Sequence, residues 1–199
     1  MPRCWRLCEK PEVSPITHFL VSWTLAQGAL EDDHDIGLVA LAGVLPDIDA
    51  AGAAGDIFNQ LVGRPPTEFY AAGHHWLFHG LFGCLCLAVV AGLLARRKAL
   101  VFGLALLTAH LHLLCDLVGS RGPDDFWPIF YLGPFSRQAE LQWSGQWRLD
   151  SWQNVTLTVI LLVWMFRQAW RWGRSPLSLV SARAHSVFVE TLRGRFGQP

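Results

Sequence analysis

Charge is scarce in this chain. Only 16% of its 199 residues are Asp, Glu, Lys or Arg, against about 25% in an average soluble domain. With 52% hydrophobic residues and a mean hydropathy of +0.29, the composition argues for a membrane protein. The 16 basic and 16 acidic residues cancel. The chain therefore lacks the basic surplus of a nucleic-acid binder, and no nucleic-acid partner is expected. Its 5 cysteines include no Cys-x-x-Cys pair, which argues against a zinc knuckle. Cys84, Cys86 and Cys115 sit in apolar runs and read as small packed hydrophobes. A signal peptide is not expected either, because the first apolar run starts at Ile16 and is interrupted at once by Thr17 and His18. No internal repeat is visible.

Tryptophan, by contrast, is plentiful, with 10 copies. Trp143, Trp147 and Trp152 cluster near one end of an apolar run, and Trp164, Trp170 and Trp172 near another, as in interfacial belts. Residues 1–14 read as a polar tail. Ser14-Pro15 opens a first helix over 15–30, and the acidic knot Glu31–Asp35 closes it as a solvated turn. A second apolar run, 36–45, ends at Pro46. Residues 50–73 read as a loop with a short helix near 56–62. Helices are expected over 76–95, 99–118 and 153–170, each long enough to cross a hydrocarbon core of ~30 Å. Arg96-Arg97-Lys98 forms the turn between the first two of these. Residues 119–151 are a long connection, too polar to span. The basic tail fits an amphipathic helix through Leu177, Val180, Val187 and Leu192. The fold expected is all-α: an integral membrane bundle of four to five helices with a metal site at one end. Residues 1–174 form the membrane-embedded unit and 175–199 the basic C-terminal tail.

Three stretches carry chemistry: Leu45-Pro-Asp-Ile-Asp49, His74-His-Trp-Leu-Phe-His79 and His112-Leu-Leu-Cys-Asp116. Carboxylates and imidazoles in apolar sequence need partners, because burying them alone is costly. His112 and Asp116 share a helix face, four residues apart; a plain His–Asp hydrogen bond is the bland alternative to metal ligation. Asp47 and Asp49 alternate, so in an extended segment both face one side; a turn or helix cap is the bland alternative. His79 has two competing partners, His75 by helical spacing and His74 if it lies on the loop before the helix. His110 falls on the opposite helical face from His112 and reads as structural. His34 and His185 lie at the other end and read as solvent histidines. His18 opens the first helix, and Asp47 and Asp49 close the second. His79 opens the third, and His112 and Asp116 close the fourth. Tight turns make these pairs antiparallel, so every candidate falls at one end of the bundle.

Taken in order, Thr17-His18-Phe-Leu, Gly43-Val-Leu-Pro-Asp-Ile-Asp49, His74-x4-His79, and His112-x3-Asp116 followed by Trp127-Pro128 resemble the YdjM-like family. Its members are bacterial inner-membrane proteins described as metal-dependent hydrolases. The resemblance covers roughly residues 15–135 and favours His74 over His75. The family's second motif usually reads His-Arg-Gly-x-Thr-His-Ser; here the Arg, Thr and Ser are missing, and with them polar groups suited to substrate contact. More loosely, the ligand types are similar to those of all-helical zinc phospholipases C and related nucleases, which implies phosphoesters by analogy.

The function expected is that of a membrane-bound metal-dependent hydrolase using metal-activated water. His18, His74, His79 and His112 supply nitrogen, and Asp47, Asp49 and Asp116 supply oxygen. This set exceeds the needs of one tetrahedral zinc. Either two ions bind, or one carboxylate, Asp49, is the general base. The mixed donors suit a divalent transition metal, zinc first, with manganese or iron as alternatives. The expected partners are membrane lipid and a small-molecule or lipid substrate. The basic turn 96–98 and the basic tail place the site on the periplasmic side. The rival reading is a non-catalytic membrane metal-binding or carrier protein. Such a carrier needs polar residues along a full span.

Overall fold

The computed structural model describes residues 15–51, 58–59, 61–65, 78–122 and 126–199, and the side chains of 49–51 are left aside. It is mostly helical. Helix α1 (Pro15–Ala29) starts with proline at its first position, where a missing N–H does no harm. Helix α2 (Asp33–Ala42) is N-capped by the Asp32 side chain, which accepts from Asp35 N. A 3-10 helix, Leu45–Ala51, follows. Helices α3 (Leu81–Leu94) and α4 (Lys98–Gly119) form an antiparallel hairpin through the turn at 95–97. Helix α5 (Trp152–Trp172) ends at Gly173, which adopts the left-handed conformation that stops a helix. A short 3-10 turn, Pro176–Leu179, leads to the amphipathic helix α6 (Ala182–Phe196).

The shared core is built from small residues. Ala26, Ala40, Ala42, Ala88, Ala91 and Ala105 are all buried where α1, α2, α3 and α4 meet. Small side chains let helix backbones approach closely, which suits packing where lipid offers no hydrophobic drive. Thr17 of α1 hydrogen-bonds Thr158 of α5 at 2.7 Å.

Helix α4, with 22 residues, is the described helix both long and apolar enough to cross a membrane. Helix α3 has 14 residues, about 21 Å at 1.5 Å per residue, and falls short of a ~30 Å core. The helix expected over 76–95 thus starts five residues late, and residues 66–77 lie outside the described ones. The start at Leu81 has a cause. The Leu81 N–H donates to the Tyr131 carbonyl at 2.8 Å, and a Cβ at Gly80 would lie 2.9 Å from that same carbonyl oxygen. The backbone of a neighbouring loop occupies the space where another helical turn would go.

That loop belongs to the connection 119–151, which has more order than its polarity suggests. Strands β1 (Ile129–Phe130) and β2 (Glu140–Leu141) pair antiparallel, with Ile129 opposite Leu141. Further on, Trp147 N donates to Val118 O at 2.9 Å and Arg121 N to Trp147 O at 3.1 Å. Two buried amides complete the joint. Gln146 donates to Asp116 O at 2.8 Å, and Asn154 donates to Gly119 O at 2.8 Å.

The acidic knot is not the solvated turn its charge suggested. Asp35 is fully buried, and its two carboxylate oxygens accept from Arg96 N and Arg97 N, each at 2.9 Å. It thereby serves the unpaired N–H groups at the start of α4, a service sequence neighbours do not provide there. Asp32 pairs with the Arg96 guanidinium beside it. Burial by itself would raise the Asp35 carboxyl, but the two backbone N–H groups and His34 hold it below the ordinary carboxylate value.

Candidate metal centre

At the other end of the bundle four elements bring polar side chains to one point. His18 comes from the first turn of α1, Asp47 from the 3-10 helix, His79 from just before α3, and His112 and Asp116 from the last turns of α4. One ligand atom from each of Asp47, His79, His112 and Asp116 lies within 4.8 Å of all the others. His112 Nε2 is 3.1 Å from Asp116 Oδ2, 3.3 Å from Asp47 Oδ1 and 3.3 Å from His79 Nε2. His79 Nε2 is 3.4 Å from Asp116 Oδ2 and 3.7 Å from Asp47 Oδ1. His18 joins from the side: its ring stacks on His112 at 3.9 Å, and its Nε2 is 3.4 Å from Asp116 Oδ1. His18, His79, His112 and Asp116 are buried, and Asp47 is half-buried.

The tautomer of His112 is fixed by its other nitrogen. Nδ1 lies 2.9 Å from the Gly43 carbonyl, which can only accept, so Nδ1 carries the proton. A neutral His112 then turns the bare lone pair of Nε2 toward two carboxylate oxygens and a second imidazole nitrogen. Acceptors facing acceptors repel. Either the imidazole takes a second proton, or a cation sits among them. Ordering one ring nitrogen on a backbone carbonyl while the other faces inward is how protein frames orient metal-binding histidines. Ser120 plays a parallel part, donating from Oγ to Asp116 Oδ1 at 2.9 Å and leaving Oδ2 to face the cluster.

Three further atoms test the fit. His18 Nε2, Asp47 Oδ2 and Asp116 Oδ2 are sealed from solvent and make no well-aligned hydrogen bond among the described residues, whatever their close approaches. Leaving such atoms unsatisfied costs about 1–3 kcal/mol each. Two imidazoles and two carboxylates around one point are a fitting donor set for zinc, manganese or iron. With no ion bound, burial would raise the Asp47 carboxyl, but His112 and His79 imidazoles carrying a second proton on the inward nitrogen outweigh it and hold the group well below its usual range.

A profile of YdjM inner membrane proteins matches residues 13–190. The chain belongs to this family. No curated protein and no solved structure matches it. The YdjM match runs through every element of the cluster, from α1 to the end of α4, and on through α5.

Of the residues singled out in the sequence, this YdjM chain brings together His18, Asp47, His79, His112 and Asp116. His74 and its competitor His75 lie outside the described residues, and so does the side chain of Asp49. The extended segment expected at 47–49 is a 3-10 helix, in which residues three apart, not two, stack on one side. His110 faces elsewhere, with Nδ1 2.8 Å from Leu106 O and Nε2 3.1 Å from the Tyr131 hydroxyl. His185 is half-buried rather than free in solvent, and it bonds Ser175 Oγ at 2.9 Å. Ser120 was missed, although its place four residues after Asp116 marked it as a neighbour on the helix face. Gly43 stood in a motif already noted. No signal in the sequence pointed to Gln146.

Asp32, His34 and Asp35 form a second close group, but its carboxylates already serve Arg96 and Arg97.

Proposed function

We propose that this protein is a metal-dependent hydrolase working at the membrane surface, with Asp47, His79, His112 and Asp116 as the main donors to a divalent transition metal, zinc first. The observation that carries the reading is His112, which spends its one neutral proton on Gly43 and turns a lone pair into a buried group of acceptors. When bound, such an ion supplies Lewis acidity, lowering the pKa of water and polarising the bond to be cleaved. Asp116 orients through two oxygens: Oδ1 is held by Ser120 and lies near His18, while Oδ2 faces His79 and His112. His18 braces the His112 ring by stacking. Asp49, the second carboxylate of the Leu45-Pro-Asp-Ile-Asp49 motif, is the candidate general base. Asp47 is the most exposed member of the group, so approach from its side suits a substrate drawn from the headgroup region, a phosphoester or other lipid-like ester. With basic residues at the 95–97 turn and in the tail, the cluster faces the periplasm. A carrier fits less well, because residues 99–107 of α4 are all apolar or glycine and provide no polar path across the span.

The test separates binding from chemistry. Purified protein loaded with zinc is assayed on a phosphodiester and a carboxylic ester, alongside Asp49→Asn. Hydrolysis by the wild type, with Asp49→Asn keeping its zinc but losing at least a hundredfold in rate, supports the reading. Zinc binding with no hydrolysis of either ester class points instead to a non-catalytic metal-binding protein.

A further inference from the structure

The turn end of the bundle, opposite the cluster, holds a cavity of about 300 Å³. It opens where the last turn of α1, the first turn of α2 and the α5–α6 connection meet. Buried Gln27 lines it, and neither its side-chain oxygen nor its nitrogen has a partner among the described residues. A buried carboxamide with donor and acceptor both idle is costly and asks for a ligand that offers both. Glu31 and Asp33, from the α1–α2 turn and the start of α2, line it together with Arg174 and His185, from the α5–α6 connection and α6. Glu31, Asp33 and Arg174 also reach solvent. Here Asp33 accepts from Ser178 Oγ at 3.0 Å, and Arg174 donates to the Gln27 carbonyl at 3.2 Å. Among the described residues neither Glu31 nor Asp33 forms an ion pair with Arg174.

A simple anion in this cavity would meet the carboxylates, and a simple cation would meet Arg174. A zwitterion answers both sets of charges. We propose that the cavity binds a phosphoethanolamine group. The guanidinium fork of Arg174 and the imidazole of His185 suit phosphate oxygens. Two carboxylates and the Gln27 oxygen are three acceptors, which matches the three N–H donors of a primary ammonium; a quaternary ammonium offers none. The setting is interfacial. Arg167 lies 5.6 Å over the rings of both Trp164 and Trp172, and Arg171 lies 5.6 Å over Trp172, as side chains do at headgroup depth. The group can arrive as a lipid headgroup or as the free compound. The proposal stands apart from the metal reading, since none of these residues belongs to the cluster.

The experiment is native mass spectrometry of the full-length protein in detergent. Phosphatidylethanolamine, phosphatidylcholine and phosphatidylglycerol with identical chains are each titrated, and free phosphoethanolamine is added as competitor. Phosphatidylethanolamine should bind at least tenfold more tightly than the other two and be displaced by the free compound. Binding of the free compound without the lipid would assign the site to the soluble zwitterion. Glu31→Gln and Arg174→Gln should each weaken binding about tenfold, with metal content at the far cluster unchanged as the check on folding. Equal binding of the ethanolamine and choline lipids overturns the proposal. So does unaltered affinity in both variants.

Discussion

His112 donates from Nδ1 to the Gly43 carbonyl at 2.9 Å, across 69 residues of chain. That bond joins the end of α2 to the end of α4 and sets which nitrogen of His112 faces the other ligands. Everything proposed for the cluster depends on it.

Metal content is the first consequence. The wild-type protein, purified without chelator, should carry one or two transition-metal ions by elemental analysis. His112→Ala combined with Asp116→Ala should lose most of them. Ser120→Ala should keep the donors but free the Asp116 carboxylate to rotate, weakening zinc about tenfold or more, as losses of supporting hydrogen bonds at metal sites do. Ser120→Thr should restore most of that affinity. Equal metal in the wild type and the double variant would count against the site.

Gly43 is needed for closeness rather than for unusual backbone angles. A Cβ there would overlap the Ser22 hydroxyl and come within 2.7 Å of the Ser22 Cβ. Gly43→Ala should therefore push α1 from α2, destabilise the protein by about 1–3 kcal/mol, and disturb the carbonyl that holds His112. Adding Ser22→Gly removes the obstacle and should recover part of both thermal stability and zinc affinity. If Gly43→Ala melts like the wild type, the packing described here is wrong.

Asp35 makes stability depend on acid. Its folded pKa is lowered from the ordinary carboxylate value by the N–H groups of Arg96 and Arg97 and by His34, against the opposing effect of burial. That contribution is full above the unfolded value of about 4 and fades as pH falls through the lower folded value. Asp32 and the Arg96 guanidinium stand nearby, and both remain in the variant. Asp35→Asn should cost about 2–3 kcal/mol near pH 7. Thermal unfolding of the two proteins should converge as pH drops below about 4; a gap that stays constant with pH would remove the charge from the explanation.

Membrane residence and orientation can be read by fractionation and fusion. Alkaline carbonate should leave the protein in the pellet, as its inner-membrane family and the 22-residue apolar helix α4 together lead one to expect. A cytoplasm-active reporter after Pro199 should work and a periplasm-active one should not. The reverse pattern would put the cluster on the inner face.

The part of the cluster legible in the chain is the part governed by near neighbours. His112 and Asp116 are four apart, so any helix through them places both on one side. Short turns between apolar runs make the runs antiparallel, which sends His18, Asp47, His79 and Asp116 to a common end. These are consequences of 3.6-residue periodicity and of short connections, and both are local. Tertiary structure alone decided the rest. Asp35 reads as one more solvated acid, yet it is buried because its carboxylate accepts from the N–H groups of Arg96 and Arg97, 61 and 62 residues away. The stretch 119–151 reads only as a connection too polar to span, yet its described residues are tied to the bundle because Gln146 and Asn154 find the carbonyls at the end of α4. The proton on His112 depends on Gly43, and no spacing rule reaches across that distance. A backbone N–H or carbonyl carries no mark in the sequence of which remote side chain will satisfy it; only the packed chain brings the two within 3 Å.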